Sequence, residues 1–337
     1  MSNTLFVPEI ANAHARSVWY QVMKFLDGDL GIINYTGDPR FGGEYVQRPR
    51  VGQLSTVERA NIASLSSSAT NRESTNTNEK MVKVHRTMLH EFYDVEPFQA
   101  GMSKEFWSVE IASQFVQRFA QKLLGDIYNV ALGSCEDATI SHQYSVYQDT
   151  ATAGDQVDLT VDVLQAAKYE LTDQMENLTV GVCHSKQWND LRVDLLAAAN
   201  LYNVPNVVGD LLRGTLFMNV LGVNWIVDDQ IPTVAGSNAT RYNALLLRPK
   251  GKDPNGLAPL SVDLTKPMEI IEQHVLGGQS AKRQMQAFAN WRLGASGSSW
   301  DSNVGANPTD ANLRLATSWD AAADDVRMHG MVEVSTN

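Results

Sequence analysis

Between Ser103 and Gly133 the chain reads SKEFWSVEIASQFVQRFAQKLLGDIYNVALG, and its apolar positions fall in two rows with a spacing of four. Ile111, Phe115, Phe119, Leu123 and Ile127 form one row; Ala112, Val116, Ala120, Leu124, Tyr128 and Leu132 form the next. Adjacent rows at that spacing make one broad apolar stripe on a long helix. Gln114, Gln117, Arg118, Gln121, Asp126 and Asn129 take the opposite side and are expected to keep water, so the helix lies across a body and is not swallowed by it. Ser103 fits an N-cap with Glu105 in the first turn, and Gly133 fits a C-terminal stop. At ~1.5 Å per residue this is a rod on the order of 40 Å long, the length of a spine.

Upstream of the spine the pattern is looser. PEIANAHARSVWYQVMKFL, residues 8–26, opens with a proline suited to a first turn and predicts a short amphipathic helix within an N-terminal arm. FGGEYVQRPRV then has β propensity, but Pro49 cannot donate to a ladder, which makes this strand an edge or a hairpin arm. From Ser66 to Glu79 the polar stretch holds no apolar side chain larger than Ala. Unstructured connections beyond ~15 residues are uncommon inside compact domains. In KMVKVHRTMLHEFYDVEP, Val82 and Val84 alternate with Lys83 and His85 as in a returning strand. Strand, polar excursion and strand together predict an extended hairpin that projects from the body.

Downstream, the pattern predicts a helix over 159–176, a short buried strand in LTVGVCHS, a helix in HSKQWNDLRVDLLAAANLY and a strand in GVNWIVDD. YNALLLRP reads as an apolar strand, GKDPNG as a turn, and residues 267–294 as a long strand-like return interrupted at Gly277-Gly278. This alternation indicates an α+β or α/β lobe.

Charge adds a partition. Residues 1–134 carry 13 Lys and Arg against 14 Asp and Glu, whereas residues 135–337 carry 14 against 24, so nearly all of the net charge of -11 lies in the second part. A phosphate-gripping protein would need a basic stripe there. Residues 40–59 run the other way, with Arg40, Arg48, Arg50 and Arg59 against Glu44 and Glu58. A basic arm of one subunit lying on the acidic body of another follows from that asymmetry. Cys135 and Cys183 lack metal or redox spacing and fit a protein kept in a reducing cytoplasm. No apolar run of ~18 residues and no signal-peptide core appear.

Candidate chemistry is thin. Cys183-His184 could pair a thiol with a base, but neighbours on a strand point to opposite faces. His85 and His90 lack the spacing that brings two imidazoles to one metal. Asp228-Asp229 and Asp324-Asp325 could hold a cation, or be solvated turns. The nucleotide fingerprints are missing, and GASGS at 294–298 has Ser where the nucleophile elbow requires a second Gly. The expectation is a chain without catalytic, cofactor or metal residues.

The order of segments resembles the major capsid proteins of tailed bacteriophages, with the Hong Kong 97 fold. LFVPEIANAHARSVWYQVMKFL resembles the N-terminal arm, FGGEYVQRPRVGQLS through EKMVKVHR the extended loop, and SKEFWSVEIASQFVQRFAQKLLGDIYNVALG the spine helix. VGVCHSKQWNDL followed by LGVNWIVDDQIP, then YNALLLRPKG and NPTDANLRLATSW, are similar to the axial-domain pattern and its sequel. The resemblance implies an α+β capsid fold divided into an N-terminal arm (1–38), an extended loop (39–88), a peripheral domain (89–149 and 241–306) and an axial domain (150–240 and 307–337). It implies pentamers and hexamers that close, in the host cytoplasm, into an icosahedral head around double-stranded DNA bound without sequence specificity, with a portal, a decoration protein in some relatives, and no membrane. Arm-like sequence begins within the first ten residues, so a separate scaffolding protein is expected. No lysine lies between Lys24 and Lys80 to cross-link an extended loop, and Arg cannot replace it as an amine nucleophile, so the shell is expected to be non-covalent. Arg40, Arg48, Arg50, Arg59 and Arg118 are the expected contacts between subunits. Two rivals stand beside this reading: the shell of a bacterial nanocompartment with the same fold, and an intracellular α+β enzyme with dispersed catalytic residues.

Overall fold

The computed structural model describes residues 30–36, 45–51, 79–95, 104–149, 156–202, 218–253, 256–277, 280–300, 308–321 and 326–337. In chain order the first elements are β1 (Ile33–Thr36), β2 (Tyr45–Val51), β3 (Glu79–Val95), the spine helix α1 (Lys104–Glu136), β4 (Gln143–Ser145), α2 (Val161–Tyr169), β5 (Val180–Cys183) and α3 (Ser185–Tyr202). After them come β6 (Met218–Val220), β7 (Val223–Val227), β8 (Val234–Ala235), β9 (Thr240–Leu247), β10 (Leu260–Gly277), β11 (Ser280–Ala295), β12 (Ser298–Trp300), α4 (Asp310–Arg314), β13 (Trp319–Ala321) and β14 (Met331–Thr336).

Two larger sheets form. One has the order β1-β10-β11-β3-β2, with β1 parallel to β10 and every other pair antiparallel. Its edge strand β2 holds Pro49 opposite Met81, where the missing N–H harms no inner ladder. The second sheet runs β4-β14-β9-β5-β7-β6, with β8 beside β9. β12 and β13 make a small ribbon closed by Trp300 edge-on to Trp319, ring centroids 5.0 Å apart.

The second sheet is buried on both faces at its centre, β5, β9 and β14, and its period-2 alternation says by what. Val180, Val182, Leu245, Leu247 and Met331 join the core built on α1, with Leu123, Ile127, Leu132 and Trp291. Cys183, Ala244, Leu246, Val332 and Val334 face the other way, into a core with Leu164 and Ala167 of α2 and Leu191 of α3. The layers are therefore spine helix, sheet, helix pair, and burial on both faces explains the uninterrupted run ALLL.

Three local expectations need correction. From Val116 to Leu132 the spine's apolar rows are buried, with Ala120 and Leu124 half-buried, but Asp126 and Asn129, expected in water, are 0% and 8% exposed. Trp291 Nε1 donates to Asp126 Oδ2 at 3.3 Å, and Lys122 Nζ lies 3.0 Å from Oδ1; burial pushes this carboxyl up, and Lys122 opposes the shift. Gly133 does not stop the helix, which continues to Glu136. It lies where the Leu313 carbonyl and the Trp319 indole press on the helix, and the Trp319 nitrogen would lie 2.9 Å from an added Cβ. The helix expected over 159–176 is two pieces: α2, capped by the Thr160 hydroxyl at Val163 N–H, and a 3₁₀ turn over Thr172–Asn177 entered through Thr172 at φ 50°. The proposed N-cap Ser103 and the helix at 8–26 lie outside the described residues. No helix among the described residues is long and apolar enough to cross a membrane.

Candidate functional site

The five arginines expected to touch another subunit are only partly placed. Arg48 and Arg50 lie in β2, in register with Val82 and Lys80 of β3. Arg118 is exposed on the face of α1 turned away from the core, beside exposed Gln114, Gln117 and Gln121. Arg40 and Arg59 lie outside the described residues. The structure thus sets Arg48 and Arg50 together at a sheet edge and Arg118 on a separate element.

The spine face continues into a groove of about 600 Å³ lined by Gln121, Lys122, Gly125 and Asn129 of α1, by Pro232 and Val234, and by Asp310 and Arg314 of α4. Lys122 bridges it, paired with Asp126 beneath and with Asp310 across. At its end lies a buried charge cluster that the sequence did not reveal. Where the apolar face of α1 stops, the sheet beneath turns polar: Arg241 and Asn243 continue the row of Leu245 and Leu247 on β9, and Glu333 and Ser335 that of Met331 on β14. Arg241 Nη2 donates to Glu136 Oε1 at 2.5 Å and to Glu333 Oε1 at 2.7 Å. Arg314 Nη2 donates to the same two oxygens at 2.8 and 3.1 Å. Ser335 Oγ adds a bond to Glu333 Oε1 at 3.1 Å, and Gln143 Nε2 one to Glu136 Oε1 at 3.1 Å. Five elements, α1, β4, β9, α4 and β14, are tied here. The one local sequence signal is Glu333 within the apolar run GMVEV.

A second buried pair closes the far end of β9. Arg248 is bonded to Asp253 and Gln174, and donates to the carbonyls of Arg327 at 3.1 Å and Met328 at 3.3 Å. Gly330, at φ 67°, leaves room for this guanidinium: an added Cβ would lie 3.1 Å from Arg248 Nε.

Two of the candidate pairs, Cys183-His184 and Asp228-Asp229, make contacts within the fold. Cys183 is fully buried and burial pushes its thiol up, away from the thiolate a nucleophile needs. His184 Nδ1 accepts from Lys186 N–H at 3.1 Å, and its Nε2 lies 3.6 Å from Asp229 Oδ1. Asp229 accepts from Ser185 N–H at the start of α3, at 2.9 Å, and Asp228 accepts from the Tyr128 hydroxyl at 2.6 Å. Burial, with Asp228 second, raises the Tyr128 phenol well above its ordinary range. Both cysteines are free and buried. Among the described residues no group of three His, Cys, Asp or Glu is placed to hold a metal ion. Asp324-Asp325 lies outside them.

With this geometry in place, the comparisons are specific. A family model described as major capsid protein 13-like (Gp13-like) matches residues 6–332. No curated protein matches the sequence. Among solved structures, the chain is similar to the cyanophage Pam1 capsid asymmetric unit at TM-score 0.58 and 9% identity, covering 90% of this chain and 88% of that one. It is similar to the capsid of Ralstonia phage GP4 at TM-score 0.54 and 11% identity (91% and 90% covered), and to Microbacterium phage Oxtober96 at 0.52 and 10% (91% and 90%). At such identities the likeness is one of fold, that of the Hong Kong 97-like capsids.

Proposed function

Because the chain belongs to the major capsid protein 13-like family and is a tailed-phage major capsid protein, we propose a specific way in which it builds its shell. The observation that carries the reading is that family match over residues 6–332. Copies of the chain form pentamers and hexamers that close into an icosahedral head around double-stranded DNA, with assembly in the host cytoplasm on a separately supplied scaffolding protein and around a portal. The acidity of residues 135–337 fits a surface that lies near DNA without gripping it.

Within the subunit, the sheet of β1, β10, β11, β3 and β2 with the spine helix corresponds to the peripheral part, and the layered sheet with α2 and α3 to the axial part. The pairing of β9 with β5 and β14 supports assigning Thr240–Leu247 to the axial sheet, with the boundary falling before β10. The hairpin of β2 and β3 is the extended loop, and its arginines, with Arg118, meet acidic surface on a neighbouring copy. The contacts are non-covalent: no lysine lies between Lys24 and Lys80, and the hairpin's Lys80 and Lys83 lie on its returning strand β3.

Negative-stain microscopy of the chain co-expressed with its scaffolding protein tests this reading. Closed particles, or sheets of uniform rings, are the expected outcome, and boiled particles should run as monomer on denaturing gels. A small discrete oligomer would refute the shell, and a ladder above monomer would refute the non-covalent contact. Particles purified with nucleic acid and not with protein cargo separate the virus from a nanocompartment.

A further inference from the structure

Glu333 is a fully buried charged group. It sits mid-strand in β14, where all six residues are buried, and its side chain is 0% exposed. Glu136, which shares the same two guanidinium groups, is better served. Both of its oxygens face arginine, with Arg314 Nη1 2.5 Å from Oε2, and its side chain is 18% exposed. Every donor to Glu333 converges on Oε1, from Arg241, Arg314 and Ser335. Its Oε2 is buried with no hydrogen-bond partner. A carboxylate oxygen buried without a donor carries the full desolvation penalty of a charged group, and a proton on that oxygen removes it. The Oε1 atoms of both glutamates also crowd the same two arginine nitrogens, so each disfavours the other's charge.

We propose that Glu333 is a proton-binding site of the folded subunit, protonated on Oε2 in mildly acidic to neutral solution, so that the tie between the spine helix and the C-terminal strand is firmer there than in mild alkali. This goes beyond the shell reading and does not depend on it. Burial drives the carboxyl up to about 7; Arg314 opposes this, Glu136 adds to it and Arg241 opposes it. The folded value lies above the ordinary 4.5. The contribution to stability is therefore complete below the unfolded value and is lost as pH rises through the folded one. The groups facing Glu333 are Arg241 and Asn243 on β9, Arg314 on α4, Glu136 and Cys135 on α1, Gln143 on β4 and Ser335 on its own strand. His142, whose carbonyl accepts from Glu333 N–H at 2.9 Å, lies against His329 with ring centroids 5.6 Å apart. Burial pushes the Cys135 thiol well above its ordinary range, with Glu333 the next cause.

The test uses the full-length chain and its Glu333→Gln variant from about pH 5.5 to about pH 9. Infrared difference spectra should show a protonated-carboxyl band in the wild type, missing from the variant, that fades as pH passes about 7. The denaturant midpoint of the wild type, relative to the variant, should fall as pH rises toward about 7 and level off above it; histidines and Cys135 are common to both and cancel. No band in mild acid, or a wild-type advantage that is constant or grows with pH, overturns the proposal. If Glu333→Gln does not fold, Glu136→Gln serves. Removing that neighbouring negative charge should move the fading of the band to lower pH, and an unmoved band overturns the proposal. Sedimentation of the same samples scores assembly separately, so the two readings can fail independently.

Discussion

The two larger sheets of this molecule solve different problems. In the seven-stranded sheet the strands run from 2 to 8 residues, and it is covered by the spine helix on one face and by α2 and α3 on the other. In the five-stranded sheet β3, β10 and β11 run 17, 18 and 16 residues. At ~3.3 Å per residue they reach on the order of 60 Å. Among the described side chains, Leu260, Val262, Trp291, Leu293 and Ala295 pack its root into the main core. Beyond the root the β10–β11 pairing continues, through register shifts between Leu264 and Glu269, to Gly277 opposite Ser280. One sheet is completed by its own chain, whereas the other spends long backbone ladders on reach, which serves a subunit that must touch other copies.

Substitutions that damage the layered body should lower subunit stability, and can be ordered by expected size. Asp253→Ala strands the Arg248 guanidinium, whose side chain is 3% exposed, and should cost about 3–5 kcal/mol in denaturant unfolding. Gly181→Ala follows. Its Cβ would lie 2.6 Å from the Trp225 ring across the β5–β7 pair, and overpacking of that kind costs about 1–3 kcal/mol. Thr160→Ala, which removes the cap of α2, should cost about 1 kcal/mol. If all three left the unfolding midpoint unchanged, the layered sheet would not be the stability core described here.

The sequence carried much of this contrast. The stripe from Val116 to Leu132, the buried strand at Val182, the helix starting at Ser185 and the return interrupted at Gly277-Gly278 are all local periodicities, and local periodicity survives folding. Asp126 and Asn129 were misplaced because the sequence pattern gives a helix one wet side. Here the groove under α4 and the root of β11 cover part of that side, and Trp291 offers Asp126 a donor. Gly133 was misread because a glycine at a helix end and a glycine under a crossing chain look the same in one dimension. The cluster of Glu136, Arg241, Arg314 and Glu333 was invisible because its members are brought together only by sheet register and helix ends. Of the expected contact arginines, Arg48 and Arg50 are placed by the β2–β3 pairing, while the acidic surface they would meet belongs to another copy.

The most direct measurement is sedimentation of the chain co-expressed with its scaffolding protein beside an Arg48→Glu, Arg50→Glu double variant, with the unfolding midpoint of each purified subunit recorded. The wild type should form fast-sedimenting shells that weaken as salt is raised. The double variant should remain small while unfolding at the same denaturant concentration, since its charges change on an edge strand outside the layered core. A double variant that assembles as the wild type does, or a wild type that never exceeds a small oligomer, would contradict the division between a self-sufficient body and a sheet built to reach its neighbours.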